Sequence, residues 1–136
     1  MFEVRLCKVD SPSGTVVASR RARSARIKEI VALPGIVAVC EEPIKRGTTN
    51  VYALNEDLDE LLWEAEPAGG TDFYVGFLGV KTRADYLGPF HPSAVAYDVS
   101  NEYPSDYLFL ICASWGGVAF LIDPQSGETK MKVITK

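Results

Sequence analysis

The chain has 136 residues, 47% of them hydrophobic and 24% charged, with a formal net charge of −4. That length is one domain's worth (1–136), and the apolar share is too high for a chain that stays unfolded. Apolar runs fall well short of the roughly 18 residues that a bilayer span requires, and Met1-Phe2-Glu3-Val4-Arg5 lacks the basic-then-apolar order of a secretory leader, so the expected compartment is the cytoplasm.

Phe2–Val9 alternates apolar and polar residues and predicts a strand. Asp10-Ser11-Pro12-Ser13-Gly14 turns the chain back into Thr15–Ser19, giving a first hairpin. Arg20–Lys28 is basic; Ser24 can cap a helix, Ile27, Ile30 and Val31 follow helical spacing, and Pro34-Gly35 stops it. Ile36–Cys40 predicts a buried strand, Glu41–Asn50 a polar loop and Val51–Leu54 another strand.

Leu58, Leu61, Leu62 and Ala65 then form an i, i+3, i+4, i+7 stripe. Asp57 and Glu60 have capping-box spacing, so a helix over Asp57–Glu66 is expected, ended by Pro67-Ala68-Gly69-Gly70. Val51-Tyr52-Ala53-Leu54 through Leu61-Leu62-Trp63 also resembles the hairpin repeat of quinoprotein-type β-propellers, and Val118 through Lys132 resembles a second copy. The first lacks the Thr-Gly turn of those repeats, and the chain is shorter than four blades need. The helical stripe takes precedence, and no convincing internal repeat stands out.

Asp72–Val80 predicts a strand whose Gly76 and Gly79 suggest bulges. Thr82–Leu87 has room for one helical turn, Gly88–Pro92 is a rigid loop, and Ala94–Val99 is a strand. Tyr107–Ala113, Val118–Ile122 and Thr129–Thr135, separated by Gly- and Pro-bearing breaks, form an antiparallel meander. The expected fold is therefore α+β. A twisted, mainly antiparallel sheet of seven to nine strands carries helices near Ser24–Leu33 and Asp57–Glu66 on one face. The core is expected to draw on Leu6, Ile30, Val39, Leu62, Val75, Val95, Leu108, Leu110, Val118, Phe120 and Ile122. Exposed edge strands in such a fold admit a homodimer.

Cys7, Cys40 and Cys112 lie far apart in apolar settings and read as free buried thiols. With one histidine and no Cys-x-x-Cys pair, a standard zinc site is excluded. Asn55, Asp57, Asp59 and Glu66 match positions 1, 3, 5 and 12 of a calcium loop, but Glu60 stands where the bend needs glycine. No metal or cofactor is expected.

His91, held between prolines, would need a nucleophile and an orienting carboxylate to act as a base. Ser114, in Cys112-Ala113-Ser114-Trp115-Gly116, departs from the nucleophile elbow at its first glycine, and a strand follows it instead of a helix. His91, Ser114 and Trp115 together mark an alternative ligand cleft, for a small-ligand binder or an enzyme. Arg20, Arg21, Arg23 and Arg26 mark an alternative anion site, which lacks interleaved aromatics; the net acidity opposes nucleic acid.

Charge is uneven, +4 over residues 1–50 and −8 over 51–136, and aromatic residues concentrate in the acidic half. Acidic steering with aromatic anchors suits protein recognition. The leading expectation is a non-enzymatic domain that docks on a basic protein through Glu56, Asp59, Glu60, Trp63 and Tyr103. One version is an immunity- or antitoxin-like inhibitor of a basic active site.

Overall fold

The computed structural model describes residues 3–82, 85–86, 103–134 and, for the backbone, 94–96. Its strands are β1 (Arg5–Val9), β2 (Val16–Arg21), β3 (Ile27–Leu33), β4 (Ile36–Glu41), β5 (Val51–Leu54), β6 (Leu61–Glu64), β7 (Tyr74–Thr82), β8 (Ala94–Ala96), β9 (Leu108–Ser114), β10 (Val118–Ile122) and β11 (Thr129–Ile134). They form a hairpin β1-β2, a four-stranded sheet β3-β4-β5-β6 and a five-stranded sheet β7-β9-β10-β11-β8, antiparallel at every pairing.

The architecture is thus nearly all β, and the expected α+β class is overturned. Among the described residues only Asp85 and Tyr86 take helical geometry, where the single turn was expected. The strands also outnumber the seven to nine expected.

The first expected helix fails because Ile27, Ile30 and Val31 are β-branched, and because Pro34-Gly35 joins two matching apolar runs. Pro34 presets its φ and Gly35 sits at φ 76°, so the pair makes a two-residue turn that leaves Leu33 opposite Ile36. The signal read as a helix stop is a hairpin turn. Glu56 Oε1 accepts the Gly35 N–H at 2.9 Å and fixes it further.

The second helix fails for a different reason. Leu58 takes φ 65° and Asn55 N–H donates to Glu60 O at 3.0 Å, so residues 55–60 close a loop between β5 and β6. The stripe is then divided. Leu58 is buried, while Leu61 and Leu62 are 39% and 40% exposed. The hairpin seen in Val51–Trp63 is the structure that forms.

It also recurs. Tyr52, Ala53 and Leu54 face Glu64, Trp63 and Leu61; Phe120, Leu121 and Ile122 face Lys132, Met131 and Thr129, with the register shift at the same step. The positions correspond one to one. The two sheets therefore share a repeated hairpin, in the two segments whose likeness the sequence showed and the helical stripe displaced.

The sheets pack face to face. Ala38, Cys40, Val51, Ala53 and Trp63 from one meet Tyr74, Leu110, Cys112, Phe120 and Ile122 from the other. Each outer face has its own cover. Leu6 of the β1-β2 hairpin packs on Val39, Tyr52, Leu54 and Leu58, and Tyr86, Tyr103 and Tyr107 pack over Phe109, Ile111, Leu121 and Met131. Burial of each such side chain contributes about 1.5–3 kcal/mol, so these layers carry the fold.

The expected core holds for Leu6, Val39, Leu110, Phe120 and Ile122. Val75 and Val118 are half-buried, and Val95 lies outside the residues whose side chains are described. Ile30 and Leu108 are 51% and 48% exposed, so they and Leu62 leave the core. Ile30 falls on the uncovered part of the outer face beside the hairpin. Gly76 and Gly79 mark register shifts against β9, as their place in the strand implied. No helix among the described residues is long and apolar enough to cross a membrane.

Candidate functional site

Antiparallel pairing brings four connections to one end of the molecule: 22–26, 42–50, 65–73 and 115–117. Ile27 lies opposite Glu41, and Tyr74 lies opposite Ser114. Two buried polar side chains lock this end. The Glu41 carboxylate accepts from Arg23 N (3.1 Å), Ser24 N (2.7 Å), the Ser24 hydroxyl (2.9 Å) and the Tyr52 hydroxyl. Asn50 donates to Glu41 O (2.8 Å) and Tyr74 O (2.7 Å) and accepts from Tyr74 N (3.1 Å), which ties the two sheets together. A cavity of about 240 Å³ lies beside them, between Arg23, Lys45, Thr48 and Tyr52. Burial and the Glu41 hydrogen bond push the Tyr52 phenol well above its ordinary range. These groups are satisfied and serve to hold the loops.

An aromatic and cationic surface stands on that frame. Trp115 is 61% exposed, yet its ring stacks on Phe73 with centroids 6.1 Å apart and planes 11° from parallel. The backbone N–H of Trp115 donates to Phe73 O at 2.9 Å. Gly116 N–H donates to Asp72 Oδ1 at 2.9 Å; a Cβ at Gly116 would meet Asp72 Oδ2 at 2.7 Å, so a larger residue there would have to displace that carboxylate. The Arg46 guanidinium lies 5.4 Å from the Phe73 ring centre and 5.1 Å from that of Trp115, and Lys28 Nζ lies 5.8 Å from Phe73. Gly47, at φ 85°, lets the loop press on Gly70, whose carbonyl oxygen is 2.5 Å from where a Cβ would be. Ile44, 77% exposed, lies on the other side of the same loop, lining a hollow with Val4, Arg21 and Ala25.

The residues expected to dock a partner divide between buried and exposed places. Glu56, Asp59 and Glu60 are exposed on the β5–β6 loop at the opposite end. Trp63 is buried: its indole N–H donates to Pro124 O at 2.8 Å and its ring covers Gly127. Tyr103 is half-buried and donates to Asp123 Oδ2 at 2.8 Å. Neither ring is an anchor on the surface.

In the alternative cleft, Ser114 is buried and its Oγ accepts Val118 N–H at 3.2 Å as a turn cap. Trp115 projects outward, and His91 lies outside the described residues. In the alternative anion site, Arg20 and Arg21 sit on β2, with Arg20 bonded to Leu58 O at 3.2 Å and Arg21 paired with Glu3 at 3.5 Å. Arg23 pairs with Glu64 at 2.8 Å and lies over the Tyr52 ring. Arg20, Arg21, Arg23 and Arg26 do not form a helical face.

Cys40 and Cys112 are buried and free, as expected, but Cys7 is exposed. Burial raises the Cys40 pKa to about 12 and pushes Cys112 up as well, which suppresses thiolate chemistry at both. No metal-holding cluster occurs among the described residues.

Sequence reasoning missed Phe73 and Arg46. They come from two separate connections and meet Trp115 from a third, and no local pattern joins them. Only Trp115, beside two glycines, was visible as a turn residue. Comparison with protein-family models, curated proteins and solved structures finds no match to this chain.

Proposed function

We propose that this chain is a non-enzymatic protein-binding domain that docks its partner on the Phe73–Trp115–Arg46 end. The observation that carries the reading is the exposed yet fixed indole of Trp115. A large aromatic face left in water is unfavourable for the free protein, and one already held in place loses little entropy on binding. Tryptophan and arginine are also the side chains that most often dominate binding energy.

The test uses the tagged chain to capture partners from its native cell, beside Trp115→Ala. A partner held by the parent chain and lost from Trp115→Ala, with unfolding unchanged, supports the reading. A partner retained by Trp115→Ala removes it.

A second reading keeps the acidic loop as the docking surface for a basic, toxin-like partner, because Glu56, Asp57, Asp59 and Glu60 are exposed together at the opposite end. It requires capture that weakens with salt and with Glu56→Lys or Asp59→Lys.

A further inference from the structure

We infer that the partner of the Trp115 end is a protein segment carrying a carboxylate beside an apolar or aromatic side chain. The inference rests on the docking reading above and adds the chemistry of what docks. Arg46 supplies the first half. Its guanidinium is held against the Phe73 and Trp115 rings, and no carboxylate pairs with it among the described residues. A guanidinium beside aromatic rings and without an acidic partner keeps its planar set of N–H donors for a ligand, and that fork takes a carboxylate through two parallel hydrogen bonds.

The surrounding charges favour the same sign of ligand. Lys45 is exposed next to Arg46. Lys28 is already matched by Glu42 at 3.4 Å. The carboxylate bordering the patch, Asp72, is engaged by the N–H groups of Phe73 and Gly116, both at 2.9 Å. The uncommitted charges at the patch are therefore cationic. The second half is apolar: the exposed face of Trp115, stacked on Phe73, offers cover to a leucine or an aromatic ring. Two uncommitted cations, Arg46 and Lys45, suit a short acidic segment better than a continuous polyphosphate backbone, which needs a longer basic track.

The test is selection from a displayed library of short random peptides, with binding of the selected peptides followed by fluorescence. The two tryptophans differ in exposure, so a change that Trp115→Phe abolishes belongs to Trp115, and Trp63 emission reports that each variant is folded. The expected outcome is enrichment of Asp or Glu within two residues of Leu, Phe, Tyr or Trp. Affinity should fall about tenfold or more in Arg46→Glu. Arg46→Lys, which keeps the charge and loses the paired donors, should be intermediate.

Enrichment of basic or uncharged peptides, or indifference to Arg46→Glu, overturns the carboxylate chemistry. If Trp115→Ala still abolishes binding in that case, the docking reading stands. No enrichment over Trp115→Ala removes both. An oligothymidylate that binds more tightly than the selected peptides and is lost in Arg46→Glu overturns the inference in favour of single-stranded nucleic acid.

Discussion

The β5–β6 and β10–β11 hairpins have the same register and close with the same hydrogen bond, Asn55 N to Glu60 O at 3.0 Å and Asp123 N to Glu128 O at 2.9 Å. They reach it with different residues. Both need the left-handed region. The second loop supplies Gly127 at φ 78°, whereas the first places Leu58 at φ 65°. A β-carbon there costs about 1–2 kcal/mol. Burial of Leu58 among Leu6, Val39, Tyr52 and Leu54 returns a similar amount. One loop is thus specified locally, and the other by tertiary packing.

The hairpins also interlock, which gives the strongest way to break the comparison. Trp63 of the first covers Gly127 of the second and donates to Pro124 O. Trp63→Ala should cost about 4 kcal/mol in chemical denaturation, from the cavity and the unpaired carbonyl. Gly127→Ala should cost about 3 kcal/mol, since its Cβ would stand 2.6 Å from the indole on a left-handed backbone. The double variant should cost clearly less than the sum, because a shortened Trp63 makes room for the new methyl. Strict additivity would mean that the two loops do not bear on one another.

That asymmetry also explains what was legible. β9, β10 and β11 could be read because Gly116-Gly117 and Pro124–Gly127 punctuate apolar runs. The β1-β2 hairpin was legible from Pro12 and Gly14. In the first meander, Leu58, Leu61, Leu62 and Ala65 fit a helical stripe, and no glycine marks the loop. The competing signal was the match of Val51–Leu54 with Leu61–Glu64, which only pairing makes visible. The candidate site was barely legible, since Arg46, Phe73 and Trp115 meet only after both sheets have formed.

Asp123 offers a smaller and pH-dependent test. Burial pushes its carboxyl up, but hydrogen bonds from the Tyr107 hydroxyl, Gln125 N–H, the Tyr103 hydroxyl and Ser126 together hold it below its ordinary 3.8. A carboxyl lowered in the folded state stabilises above its unfolded pKa, and that contribution is lost as pH falls through the folded value. Asp123→Asn should cost about 2 kcal/mol at neutral pH. In thermal unfolding across pH, the gap to the parent chain should stay constant above about pH 5 and narrow below about pH 4. A constant gap to lower pH would show that shape, and not charge, makes Asp123 matter.

The smallest effect comes from making the first loop resemble the second. Asn55 Oδ1 accepts the N–H groups of Asp59 (3.1 Å) and Glu60 (3.2 Å), and its Nδ2 donates to Asp59 Oδ1 at 2.6 Å. In Asn55→Asp the two accepted bonds survive, but the donated one becomes a contact between carboxylates. No tyrosine hydroxyl reaches Asn55 among the described residues, as Tyr103 and Tyr107 reach Asp123. The like charge of Asp59 opposes the two N–H bonds that favour the charged form, so the repulsion is present only while both carboxyls are ionised. Its cost, about 0.5–1 kcal/mol at neutral pH, should therefore disappear as pH falls, whereas Asp123 loses its stabilising contribution over the acidic range. Opposite pH slopes for the two aspartates would show that a shared place in the hairpin leaves the side chain's value to its neighbours.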